Sequence, residues 1–331
     1  MDLDAYEAAR ADEWGRLDAL SRGRRLTGPQ ADELVERYQA GATDLSVLRS
    51  TVGPSAVGDR LSLTLSRARL RFTGTGRSPA SQVPVFFVAH LPAALWRLRW
   101  STLVVALVTA VVATVVGTWV AGSPEVLAAL GTEEFRRQYA SQDFVRYYDE
   151  SSSATFTGQV WTNNAFIAAQ CVAFGITGVW VPYVVMQNAV GVGMSAGLLA
   201  SEGRLDQFVL YIAPHGQLEL YSIFVAAAAG LLIAWSWIAP GARTRGQALA
   251  EDGRALVTVA VGLVLALLVS GVIEGFVTRQ PWPWPVKIGI GTVALAGFLA
   301  YQWVLGGRAH RAGHSGDLDE FEAGARRLVA G

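Results

Sequence analysis

The stretch VWTNNAFIAAQCVAFGITGVWVPYVVMQNAVGVGMSAGLLA, from Val160 to Ala200, decides the fold. It runs for 41 positions without a charged side chain. As a helix rising about 1.5 Å per residue it would be about 60 Å long, twice the roughly 30 Å of hydrocarbon in a bilayer. It must therefore fold back. Pro182, beside Trp180 and Tyr183, is the expected turning point, giving spans near 160–181 and 183–200. Working outward, Ser101 to Ala121 is uncharged and dense in valine, and further apolar runs occupy about 214–238, 255–277 and 285–305. The last two are joined by PWPWP (Pro281 to Pro285), whose prolines fix φ and lack N–H donors, so a stiff turn is expected there. The fold class is all-α: a polytopic membrane helical bundle of about six spans with a small N-terminal cytoplasmic helical domain.

Composition points the same way. The chain has 331 residues, 52% hydrophobic and only 16% charged, against about 25% charged in soluble domains; its mean hydropathy is +0.32. Lys plus Arg equals Asp plus Glu at 27 each, so net charge indicates no nucleic-acid partner. The single cysteine, Cys171, excludes an intrachain disulfide and a cysteine-cluster metal site. The opening MDLDAYEAARADEW lacks a basic then apolar leader, so no cleavable signal peptide is expected.

Residues 1–79 read as a cytoplasmic helical domain. Pro29 stands at a helix start, Leu34, Val35, Tyr38, Leu45, Val47 and Leu48 give one apolar stripe, and Leu61, Leu63, Leu65 and Leu70 give a second after Pro54. The GTGRSP stretch (Gly74 to Pro79) is a turn. Residues 80–100 read as an interfacial amphipathic helix, with Phe86, Phe87, Leu91, Leu95 and Trp96 followed by Arg97 and Arg99; a fourth bundle helix is the plainer alternative. The transmembrane domain occupies 101–305. Its loop 122–159 should be helical and extracytoplasmic, with an amphipathic centre at Phe135, Tyr139, Phe144, Tyr147 and Tyr148. Residues 306–331 form a cytoplasmic tail.

Basic residues test the number of spans. With six spans and both termini inside, 21 Lys and Arg lie inside against 5 outside, with Lys287 at an edge; a single span over 160–200 changes the split to 16 against 10. The positive-inside rule prefers six and a multi-pass protein of the cytoplasmic membrane. Ten of the eleven tryptophans fall near proposed span ends, where aromatic belts form.

Ionisable groups in hydrocarbon cost about 2.5–3.5 kcal/mol each on insertion scales, so those present should be paired or face a polar interior. His215, Glu219 and Glu274 are the candidates. His215 and Glu219, four apart in APHGQLELY, share one face of a helix expected to begin at Pro214 and can hydrogen-bond each other. They read as a packing pair or as a pair that handles protons or ions; two ligands are too few for a metal. Glu274 sits in GVIEG, where Gly271 and Gly275 form a small-xxx-small surface, and Arg279 could pair with it. Asn163, Asn164, Gln170, Gln187 and Asn188 form an amide-rich set, read as interhelical glue or as the lining of a hydrated cleft. Gly193, Gly197 and Gly216 add to the close-packing surface. Gly193-Met194-Ser195-Ala196-Gly197 spells G-x-S-x-G, but the nucleophile elbow needs a strand-to-helix turn that an apolar helix lacks. GVGMSAG has no βαβ unit around it, and there is no P-loop, H-E-x-x-H or EF-hand loop, so no catalytic residue, cofactor or metal site is assigned.

NNAFIAAQCVAFGITG, QNAVGVGMSAG and APHGQLELYSIFVAAAAGL, in that order, resemble the stage II sporulation protein M family of bacterial membrane proteins. The resemblance covers roughly 100–240 and maps onto Asn163, Asn164, Asn188, Pro214, His215, Gly216 and Glu219; Ala189 stands where the family often has glycine. It implies a polytopic cytoplasmic-membrane protein without established enzymatic activity. As implied partners it brings cell-wall hydrolases, RDD-type membrane proteins and MoxR-type ATPases, besides the lipid bilayer and further copies of the chain. A non-enzymatic scaffold or assembly partner in a cell-envelope complex is the leading functional expectation. The rivals are a channel or transporter using His215 and Glu219, and an intramembrane hydrolase using Ser195.

Overall fold

The computed structural model describes residues 3–23, 26–53, 55–72, 83–146 and 152–316. Among these residues every regular element is helical. They divide into two units, Met1–Val83 and Pro84–Ala323.

The first unit contains α1 (Leu3–Arg22), α2 (Gly28–Thr51) and α3 (Ala56–Phe72). Helix α2 starts where Pro29 predicts, and the Gln30 side chain accepts a hydrogen bond from the Thr27 N–H at 3.0 Å, satisfying a donor at the helix entrance. Leu17, Leu20, Leu34, Leu48, Val57, Leu61, Leu65 and Ala68 form the core. In α3 the buried stripe is Val57, Leu61, Leu65 and Ala68; Leu63 and Leu70 are exposed, because the α period rather than alternate spacing sets the inward face. Buried Asp44 accepts hydrogen bonds from the Tyr6 hydroxyl at 2.9 Å and the Trp14 indole N–H at 3.0 Å, pinning α1 to α2. The GTGRSP turn lies outside the described residues.

The second unit contains α4 (Val83–Gly122), the short α5 (Pro124–Leu130) and α6 (Glu133–Gln138), then α7 (Ser153–Ala173), α8 (Trp180–Ser201), α9 (Leu205–Ile238), α10 (Arg245–Thr278) and α11 (Trp284–Arg311). Five of these, α4 and α8 to α11, are long and apolar enough to cross a membrane. Helix α7, expected as the second span, has 21 residues and thus the length, but Thr162, Asn163, Asn164 and Gln170 dilute its hydropathy. One face of it, carrying Phe156, Thr157, Val160, Asn164, Ala168 and Cys171, is buried against the bundle, while Thr162, Asn163 and Phe166 are exposed. Thr157 Oγ1 donates to the Gly271 carbonyl at 3.1 Å and the Trp161 indole to the Val264 carbonyl at 3.2 Å, both on α10.

Three expected boundaries are corrected. Residues 83–100 are no separate interfacial helix: α4 runs unbroken for 40 residues, and Leu91, Ala93, Ala94, Leu95 and Leu98 are buried. The α4 face that would have met lipid headgroups is instead in the core with Val225, Leu256 and Val259. The reversal inside 160–200 falls at 174–179, not at Pro182. A left-handed residue closes it, Gly178 at φ +72°, a conformation open to glycine and closed to proline. Pro182 lies in the first turn of α8, where its missing N–H costs nothing. Pro214 does not begin α9 but sits inside it, nine residues past Leu205.

Helices meet closely through missing side chains, which is how apolar bundles gain packing energy in a solvent as apolar as themselves. A Cβ on Gly197 would lie 2.5 Å from the Gly117 carbonyl of α4, and one on Gly193 2.6 Å from that of Ala113. Gly230 of α9 abuts the Cys171 carbonyl, Gly275 of α10 abuts Thr157, and Gly291 of α11 abuts the Pro214 carbonyl. Gly271 packs more loosely, 3.4 Å from Thr157 O and Trp161 Cβ. Gly216 is different from expectation: a Cβ there would strike Ile212 of its own helix, 2.7 Å away.

In the expected loop, Phe144 is buried and meets Tyr211 edge to face at 6.1 Å between ring centroids, whereas Phe135 is 53% exposed; Tyr147 and Tyr148 lie outside the described residues. Of the expected tail, 306–311 continue α11, and Gly316 O accepts from Thr258 Oγ1 at 3.2 Å; 317–331 lie outside the described residues.

Candidate functional site

The site grows from three helices. Helix α9 carries His215 and Glu219 one turn apart. Helix α10 ends in a π-helical segment, Ile273–Thr278, which widens the turn and brings both Glu274 and Thr278 inward. Helix α7 supplies Asn164. One ligating atom from each of His215, Glu219 and Glu274 lies within 4.8 Å of the others.

The pairing differs from that expected. His215 Nε2 lies 3.5 Å from Glu274 Oε1, so the partner of Glu274 is the imidazole. The Arg279 guanidinium instead donates to Ser153 Oγ at 3.4 Å and lies over the Phe156 ring, because it sits at the C-cap of the π segment and reaches out to α7. His215 Nδ1 faces Thr278 Oγ1 at 3.4 Å. Ser270 Oγ donates to the His215 carbonyl at 3.0 Å and reaches Glu219 Oε2 at 3.5 Å, and the Asn164 amide also contacts the Glu219 carboxyl. His215 and Glu274 are each 4% exposed, while Glu219 is half-buried. Glu274 Oε2 is buried without a hydrogen-bond partner.

The amide-rich set does not converge. Asn163 is exposed although its neighbour Asn164 is buried, since successive helical residues point about 100° apart. The Asn188 amide donates back to Val184 O of its own helix at 2.9 Å, and the exposed Gln187 donates to the Tyr183 hydroxyl at 3.3 Å. Ser195 lies within helix α8, so the strand-to-helix turn required by the hydrolase reading is not there.

Sequence reasoning missed Ser270, Thr278 and Lys287. The Lys287 ammonium donates to the Thr278 and Gln280 carbonyls at 2.9 and 3.0 Å, capping the end of α10, and lies 3.5 Å from the Trp284 ring centroid. A cation three residues into an apolar run was the available signal. A second buried cluster also went unseen. Asp252, 1% exposed, is held by Arg97, by Arg243 at 3.0 Å and by the Ser236 hydroxyl at 2.7 Å.

Two family models match the chain. That described as Stage II sporulation protein M covers residues 106–279, slightly more than half of the sequence and including every side chain of the His215 cluster named above except Lys287. A domain of unknown function (DUF8413) covers 4–74, the helices of the first unit. No curated protein and no solved structure matches.

Proposed function

Since this chain belongs to the stage II sporulation protein M family, a multi-pass membrane protein, we propose that it acts as a non-enzymatic scaffold or assembly partner in a complex of the bacterial cell envelope. The observation that carries the reading is the closure of the bundle by backbone contacts at Gly193, Gly197, Gly230, Gly275 and Gly291. Interlocked backbones make a stiff platform, because separating them forfeits close packing along whole helices. The first unit, matched by its own family model, supplies a second folded body for recruitment. Candidate partners are those of the resemblance: cell-wall hydrolases, an RDD-type membrane protein or a MoxR-type ATPase. Both termini are assigned to the cytoplasm, which requires α7 to cross the bilayer. Reporter fusions at the two ends should therefore report the same compartment.

The test is purification of the full chain from its native membrane in mild detergent, followed by reciprocal capture through each co-purifying protein. A stoichiometric partner recovered in both directions is expected. A solitary particle that conducts ions or solute in proteoliposomes, with flux abolished by Glu219→Gln, would replace this reading with a transporter built on His215 and Glu219.

A further inference from the structure

We propose that His215, Glu219 and Glu274 form a buried binding site for one divalent transition-metal cation of the zinc class. The proposal does not depend on the scaffold reading. Three observations carry it.

The first is geometry. Ligands about 2.0–2.2 Å from a tetrahedral zinc lie roughly 3.4 Å from each other. His215 Nε2 and Glu274 Oε1 are already 3.5 Å apart, and the whole trio falls within 4.8 Å, so small side-chain rotations close the set. The second is valence. Glu274 Oε2 has no partner although its residue is 4% exposed, and that is costly for a carboxylate oxygen in an apolar bundle. Two carboxylates against one divalent cation make a neutral unit, the arrangement that low dielectric favours. The cations adjacent in sequence serve elsewhere, Lys287 on the end of α10 and Arg279 on Ser153 and Phe156.

The third is the outer shell. With Nδ1–H donating to Thr278 Oγ1, the Nε2 lone pair faces the carboxylates, the tautomer a metal ligand needs. Ser270 and Asn164 orient Glu219 in the same way. An imidazole nitrogen among the donors selects zinc or iron(II) over calcium and magnesium, which prefer oxygen alone. Three protein ligands leave one position for water, so the ion should be exchangeable.

The experiment uses the full chain, tag removed, in lipid nanodiscs, stripped with chelator and titrated with zinc alone. After desalting, elemental analysis should give one zinc per chain, with a raised thermal midpoint, while magnesium is not retained. Glu274→Gln and His215→Gln should each weaken retention at least tenfold and keep the elution profile of the parent. X-ray absorption at the zinc edge of the unmutated protein should show one imidazole with oxygen donors. Retention below a tenth of an ion per chain overturns the proposal, as does undiminished retention in both variants. A spectrum with two or more imidazoles would also overturn it by moving the ion to other histidines, and that readout holds even if the variants do not fold.

Discussion

Asp252 and Glu274 lie on the same helix, 22 positions apart, both almost fully buried at 1% and 4% exposure, yet their carboxylates keep different company. Asp252 is enclosed by two guanidiniums and a hydroxyl, with Arg243 also reaching Glu251 at 2.9 Å. The arginines are 28% and 35% exposed at the side chain, so their stems cross apolar surface while the heads stay near water. Glu274 shares its surroundings with a second carboxylate and one imidazole, and has an oxygen to spare. A charge whose counterion is built into the chain locks helices together. A carboxylate pair lacking one either binds a cation or gives up its charge. One cluster is therefore complete with α4, α9, α10 and the 239–244 connection in place, and the other is complete only with something added.

The largest effect should come from removing the frame of the Glu274 cluster. Gly291→Leu would drive a side chain into the Pro214 carbonyl beside His215, and a loss of about 4 kcal/mol or more is expected from forced separation of α9 and α11. Thermal unfolding in detergent checks this, and a midpoint like that of the parent would mean the two helices do not touch there.

Asp252→Ala comes next. It strands two arginines, and because both are partly exposed the cost should be about 2–3 kcal/mol rather than the 3–5 kcal/mol of a fully buried pair. Glu274→Gln sharpens the contrast: in chelator-treated protein it should change stability by less than about 1 kcal/mol, or raise it, since the carboxyl it replaces has no counterion left to lose. Equal losses in the two variants would erase the distinction between the clusters.

The smallest effect lies in the first unit, where an exposed network provides the reference for both. Hydrogen bonds from Arg16 and Arg37 hold the Glu33 carboxyl at about 2, below its ordinary 4.5. Its contribution is complete above about pH 4.5 and disappears as pH falls through 2. Glu33→Gln should flatten that part of the midpoint-against-pH curve and leave neutral pH almost unchanged, and added salt should mimic it.

Much of this was legible in the residues. The uncharged runs located the long helices, although α4, α9 and α10 begin 18, 9 and 10 residues before the expected spans, and the four-residue spacing put His215 and Glu219 on one face. Glycine density announced close packing at Gly193, Gly197 and Gly275. What failed were choices between neighbours. Asn163 and Asn164 are equivalent as letters, and only the position of α10 and α9 around α7 buries one and exposes the other. Pro182 and Gly178 both interrupt a helix pattern, but only glycine could take the positive φ that the reversal needed. Pro214 looked like a beginning because proline inside a helix is costly in water, whereas here neighbouring helices enclose it.

The residues alone determined that this is an all-helical membrane chain, because solvation free energy is summed along a segment and needs no knowledge of its neighbours. Tertiary structure decided that Glu274 joins His215 and Glu219, 55 and more positions upstream, while Arg279 and Lys287 turn away. Such pairings depend on the rotation of each helix about its axis, and that rotation is settled by packing against other helices.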